Sequence, residues 1–342
     1  MAFFLLLSLA LCSLASPLLK RQAPAGVPQY VLDYAPIVYL YSGEKYLPSD
    51  IGAQLTNTHP DLNFTAITDG PKPLTLDNLN ELNNVNGAND GANIYLTSNE
   101  NVATNPAYLN GVLPDSKGST SPAVSCAVIV VDRGSNSVDA FFMYFYAFNY
   151  GGSYVDYVIG DHVGDWEHNM VRFQNGVPQA VWYSQHSNGE AFTYNATEKY
   201  NNGVRPISYS ANGTHANYAI TGKHDHTIPD VNLPDGLIVD YTDKGPLWDP
   251  TLSAYYYTYD EGTERFAAYN DSTPVNWLYF LGAWGDEQYP TSNPDQDCPI
   301  PDITELCKYV SGPTGPITKD LNRTEVCPDN GIPCIIRPVL TP

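Results

Sequence analysis

Residues 141–150 read FFMYFYAFNY, seven aromatics in ten positions with no polar alternation. An extended chain points successive side chains to opposite faces, so this segment needs an apolar cover on both. A central strand of a layered β structure provides that cover, and the run predicts a strand deep inside a sandwich. The surrounding pattern agrees. Residues 127–132 (AVIVVD) read as a short buried strand, and 30–41 (YVLDYAPIVYLY) as the first strand of the chain. Further strands are expected at 165–173, 180–184, 237–241 and 254–259, separated by the turn signals Asn175-Gly176, Asn188-Gly189 and Asn212-Gly213. The Leu/Asn-rich and then Gly/Asn-rich stretch within 75–120 reads as loop or insertion, because Asn and Gly compete with both helix and sheet. No heptad, no internal repeat and no phosphate-binding glycine pattern occurs. The expected fold is mainly β: one β-sandwich-like domain with long loops over residues 27–290, then a Cys/Pro-rich tail over 291–342.

Charge narrows the partners. The 342 residues carry 16 Lys+Arg against 37 Asp+Glu, a formal charge of −21. Such a chain is repelled by phosphate backbones and anionic leaflets, so no nucleic acid is expected as partner. Neutral, sugar-like or cationic ligands remain.

The N-terminus predicts export. Residues 3–14 (FFLLLSLALCSL) form an apolar run too short to span a bilayer and placed as a secretory signal. We expect a signal peptide over 1–16 and a short propeptide over 17–21 ending at the dibasic pair Lys20-Arg21, with Gln22 as the mature start. Beyond the signal no stretch nears the ~20 apolar residues of a transmembrane helix. Five Asn-x-Ser/Thr sequons, at Asn63, Asn195, Asn212, Asn270 and Asn322, fit a glycoprotein. The expected destination is secreted, or lumenal or vacuolar by the secretory route. Cysteine use agrees. Cys298, Cys307, Cys327 and Cys334 crowd the tail and predict two disulfides there, with Cys126 either free or taking one tail partner. Their spacings contain no Cys-x-x-Cys knuckle, which sets zinc behind disulfides.

The chemistry concentrates in one window. Six of the seven histidines lie between His162 and His226, together with Asp161, Asp165, Glu167 and Asp225, and Asp156 stands just upstream. In an extended 165–173, Asp165 and Glu167 share a face while Trp166 and His168 point the other way. Two like charges side by side on a strand are destabilising unless a cation, or an arginine such as Arg172 or Arg205, offsets them. Gly164 permits a turn that brings His162 over the same face. The expected metal ligands are His162, Asp165 and Glu167, assisted by Asp156 or Asp161 and by His186, with His215, His224 and His226 as additional or supporting groups. Two carboxylates and one imidazole without thiolate favour Ca²⁺, Mg²⁺ or Mn²⁺ over Zn²⁺. Nucleophile signatures are weak: there is no Gly-x-Ser-x-Gly elbow and no His-Glu-x-x-His helix. Glu167 and His168 are the catalytic candidates if a bound cation activates water.

Several segments together resemble the fungal family named for vacuolar protein sorting-associated protein sixty-two. They are YAPIV at 34–38, HVGDWEH at 162–168, GTHANY at 213–218, DYTDKGPLWDP at 240–250, GAWGD at 282–286 and SGPTGP at 311–316. The resemblance runs in order through most of the mature chain and implies a part in delivery to the vacuole. A shorter stretch is similar to the necrosis- and ethylene-inducing-peptide-like cytolysins, whose Gly-His-Arg-His-Asp-Trp-Glu heptapeptide follows an aromatic strand. That resemblance implies a β-sandwich, a divalent cation at the heptapeptide and a sphingolipid headgroup as target. It maps onto His162, Asp165, Trp166 and Glu167, and Ser184-Gln185-His186 resembles the family's later His turn. Gly164 replaces the family's middle His, and Asp161 its first Gly. Three functional classes follow: a metal-binding sandwich that recognises a glycan or glycolipid headgroup, a metal-dependent hydrolase, and a non-catalytic sorting or cargo factor.

Overall fold

The aromatic run lies within the strand Ser137–Asn149, hydrogen-bonded on one side to Cys126–Asp132 and on the other to His162–Gln174. These three are the centre of an eight-stranded sheet in the computed structural model, which describes residues 22–154, 156–225, 238–300 and 303–340. The expected signal and propeptide, and His226, lie outside the described residues. Across the sheet the order is Arg265–Ala268, Ala254–Asp260, Cys126–Asp132, Ser137–Asn149, His162–Gln174, Val177–Gln185, Asn188–Thr193 and Ile336–Arg337. Ala254–Asp260 runs parallel to Cys126–Asp132, and Ile336–Arg337 runs parallel to Asn188–Thr193; the other pairs are antiparallel.

Both faces of the aromatic strand are covered, as its composition requires. On one face Phe142, Tyr144 and Tyr146 pack with Val128, Val171 and Tyr183 against Val38 and Trp248. The last two belong to a four-stranded sheet of Asn217–Tyr218, Ile207–Ser210, Ile37–Tyr39 and Leu247–Trp248. On the other face Phe141, Met143 and Phe145 pack with Trp166 against Trp277, Trp284, Leu82 and Leu96. Each such side chain removes apolar area worth about 1.5–3 kcal/mol from water, so this double burial dominates the core.

Three expectations are corrected. The segment 30–41 is not one strand. A short helix, Gln29–Asp33, precedes the strand Ile37–Tyr39. Pro28 presets helical φ at the helix start, while Pro36 disfavours helix at Ala35 and restarts the chain extended. The stretch 75–120 is not merely loop. It holds a 3₁₀ helix, Leu79–Asn84, and a strand, Ile94–Ser98, paired with Thr58–Leu62. Leu79, Leu82, Ile94 and Leu96 are buried in the core, so packing overrides local propensity. Asn188-Gly189 is not the turn: Gln185 pairs with Asn188, which leaves His186-Ser187 as the two-residue connection. Asn175-Gly176 does form its hairpin turn, with positive φ at both residues.

The cysteine-rich tail carries the disulfides Cys298–Cys307 and Cys327–Cys334, and Cys126 is free and buried. Between them Leu321 and Val326 join the main core. No helix among the described residues is long and apolar enough to cross a membrane.

Candidate functional site

Register builds the site. Asp165 lies opposite Tyr146 and Glu167 opposite Tyr144, so both carboxylates face the four-stranded sheet, while Trp166 and His168 enter the opposite core. Both carboxylates are buried. The turn after Ile207–Ser210 delivers His215 onto this face. Its backbone is left-handed (φ +56°), and its ring stacks flat on Tyr146 with centroids 3.7 Å apart. His215 Nδ1 donates to Asp165 Oδ2 at 2.9 Å, and Nε2 donates to the Tyr46 carbonyl at 2.8 Å. Both partners accept only, so this geometry holds His215 as an imidazolium. Burial works against that charge, but the Asp165 hydrogen bond and the nearby Glu44, 3.9 Å from Nε2, prevail and raise its pKa. Asp165 follows suit: burial would raise its pKa, and the bond and charge of His215 hold it below the ordinary carboxylate value.

Glu167 is different. Its Oε1 accepts from the His186 backbone N–H at 2.8 Å, and its Oε2 accepts from the Ser184 hydroxyl. Burial first, and then the charge of Asp165, push its pKa up. Arg172 and Arg205 do not offset the pair, since they bind Asp139 and Asp249 respectively.

Gly164 re-aims the strand start. At φ +67° it breaks the regular alternation, and His162 comes within electrostatic reach of Asp165, His186 and His215. His162 Nδ1 lies 2.7 Å from the Gly164 carbonyl, which fixes the proton on Nδ1 and leaves Nε2 as an acceptor. Burial lowers its pKa and keeps the ring neutral. Gly164 is also packed tightly against the core segment at Trp284: a Cβ there would stand 2.3 Å from the Trp284 carbonyl oxygen.

The other sequence candidates divide. His186 sits in the 186–187 turn with Nε2 3.8 Å from Asp240 Oδ2, so it borders the site. His224 stacks on Tyr218 at 3.8 Å, bonds Thr242 Oγ1 and reaches the site only through Tyr218 and Asp240. Asp161 is buried elsewhere. It accepts from the Gly151 N–H and lies near Tyr46, Tyr150 and Tyr309, with burial raising its pKa to about 7. Asp156 is exposed in a left-handed turn. His168 packs beside Arg323 and Phe141 on the far face, so it does not share a site with Glu167. Among the described residues no group of three His, Cys, Asp or Glu side chains is drawn together closely enough to hold a metal ion.

Sequence reasoning missed Glu44 and Asp240. Glu44 accepts from the backbone N–H groups of Lys45, Tyr46 and Gly213. Asp240 accepts from Thr214 Oγ1 at 2.6 Å and from Tyr218 Oη at 2.7 Å. Glu44 carried no local signal. Asp240 carried one, a carboxylate between apolar neighbours in an expected strand. The assembled face thus sets four carboxylates (Glu44, Asp165, Glu167, Asp240) among three imidazoles (His162, His186, His215).

A family model described as vacuolar protein sorting-associated protein 62 matches residues 25–227. The Saccharomyces cerevisiae protein TDA6, a vacuolar protein sorting-associated protein by name, is 38% identical over 330 residues, covering 89% of this chain and 69% of its own. Vacuolar protein sorting-associated protein 62 of the same yeast is 36% identical over 336 residues, covering 88% and 68%. Among solved structures, the crystal structure of Necrosis and Ethylene inducing Protein 2, from the causal agent of witches' broom disease of cocoa, aligns with 59% of this chain and 72% of its own, at 16% identity and a TM-score of 0.29. With identity sustained across nearly nine-tenths of its length, this chain belongs to the vacuolar protein sorting-associated protein 62 family.

Proposed function

We propose that this protein is a glycoprotein of the secretory pathway, secreted or vacuolar, that recognises a glycan or glycolipid headgroup through a divalent cation, whose binding would draw Asp165, Glu167 and His162 closer together than they stand without it. One observation carries the reading: two buried carboxylates share a sheet face, and Gly164 brings a neutral imidazole toward one of them, Asp165, with its Nε2 lone pair unspent. That donor set, oxygen-rich and without thiolate, suits Ca²⁺, Mg²⁺ or Mn²⁺ better than Zn²⁺. The Gly164 carbonyl orients His162 as outer-shell acceptors commonly orient metal-bound histidines. His215 takes Asp165 Oδ2, which leaves Oδ1 for a ligand, and the Ser184 hydroxyl and His186 N–H orient Glu167. When bound, the cation supplies a positive centre for sugar hydroxyls. The disulfides and the names of the yeast relatives support a destination in the oxidising secretory route.

The test is elemental analysis of purified protein alongside thermal melts with and without chelator. A bound cation stabilises by mass action, about 2.7 kcal/mol at a hundredfold excess over Kd. We expect Asp165→Asn to abolish the metal-dependent rise in Tm, and metal to be required for retention on glycan or glycolipid supports. Absence of bound metal together with no chelator effect would overturn the cation reading.

A further inference from the structure

A cavity of about 270 Å³ opens beside the site, lined by Gly43, Glu44, Lys45, Tyr46, Tyr150, Asn212 and Gly213. One of its walls, Asn212, begins the sequon Asn212-Gly213-Thr214. The other four acceptor asparagines, Asn63, Asn195, Asn270 and Asn322, are exposed, whereas Asn212 is half-buried at the cavity. Its side chain makes no hydrogen bond among the described residues. The sequon around it is locked: Asn212 N–H donates to the Tyr241 carbonyl, Gly213 N–H to Glu44 Oε2, and the Thr214 hydroxyl to buried Asp240. Transfer of a glycan here must therefore precede folding, and the finished fold then has to accommodate the first sugar. The cavity provides for it. The half-buried ring of Tyr150 offers aromatic surface to the apolar side of a sugar, Tyr46 backs it from the core with centroids 6.4 Å apart, and the Lys45 ammonium stands 3.3 Å from Tyr46 Oη at the same wall. The volume falls below the ~300–1,000 Å³ of drug-sized pockets, which suits one ring rather than an oligosaccharide.

We propose that the N-linked glycan of Asn212 folds back into this cavity, its first N-acetylhexosamine seated on Tyr150, so that the sugar becomes a fixed part of the molecule. It then joins the 43–46 turn to the 211–216 turn, the two segments that place Glu44 and His215 beside each other. The inference rests on the secretory reading above, since only that route attaches such glycans.

Glycopeptide mass spectrometry of protein secreted from yeast tests it, combined with endoglycosidase digestion of native and denatured samples. We expect Asn212 to be occupied and its glycan to be released at least about tenfold more slowly than those of the exposed sites in native protein, because only a minor open population is cleavable. Denaturation should remove the difference. Tyr150→Ala should speed native release at Asn212, and Tyr150→Phe should keep it slow. The comparison among sites within one wild-type molecule carries the test even if Tyr150→Ala fails to fold. Asn212 bare while the exposed sites are glycosylated, or occupied but released as fast as they are, would overturn the inference. A chain with no glycan at any sequon would instead remove the secretory reading beneath it.

Discussion

Single residues here are charged where burial makes charge expensive, and each solves the problem differently. His215 and Asp165 neutralise one another across 2.9 Å. Asp286, buried elsewhere in the fold, makes no ion pair of that kind among the described residues. It accepts from Ser98 N–H and Tyr289 Oη, both at 2.7 Å, yet burial raises its pKa above the ordinary carboxylate value, with Asp61 adding repulsion. The sign of its pH effect follows. A carboxyl with a raised folded pKa binds more protons when folded than when unfolded, so stability falls as pH rises from the unfolded value through the folded one. Urea midpoints measured from pH 4 to pH 7 should therefore decline less steeply in Asp286→Asn than in wild type. An unchanged slope would show that Asp286 does not contribute to it.

At the scale of the element, the strand His162–Gln174 does two jobs that Gly164 separates. Residues 165–173 alternate regularly between the two cores, whereas His162 is turned by the left-handed glycine toward Asp165. Alanine at 164 meets two costs: the positive φ, and a Cβ 2.3 Å from the Trp284 carbonyl oxygen. We expect Gly164→Ala to destabilise by about 2–4 kcal/mol, read from denaturant midpoints at constant m, and to weaken any metal-dependent Tm shift further by displacing His162. A change below about 0.5 kcal/mol, the scale of a neutral surface substitution, would contradict that account. The strand was legible beforehand because Asp165, Trp166, Glu167 and His168 alternate by chemistry. The 186–187 turn was not, since Asn188-Gly189 mimics a hairpin turn and only cross-strand pairing reveals that these residues already belong to the next strand.

Across the whole molecule, 37 acidic residues outnumber 16 basic ones, so the folded state repels itself. The pairs Arg172–Asp139 and Arg205–Asp249 are partly buried and only weakly open to screening. Raising ionic strength from about 0.01 to 0.15 M shortens the Debye length from ~30 to ~8 Å and should raise Tm at neutral pH. A fall in Tm would mean that attractive pairs, not net repulsion, govern the surface.

What the sequence determined by itself is what depends on local period and residue type. The aromatic run demanded a doubly covered strand, alternation put Asp165 and Glu167 on one face, and the crowding of four cysteines into the tail announced disulfides there, whose pairing only the structure decided. What only the tertiary structure decided is which distant groups meet that face. Glu44 lies 171 residues before His215, and Asp240 lies 75 residues after Asp165. They reach the same site because the four-stranded sheet packs its short strands and turns over the central one. Local propensity carries no record of such encounters. They follow from burying Tyr144 and Tyr146 under that second sheet, and the buried carboxylates and imidazoles must then find one another because water no longer reaches them.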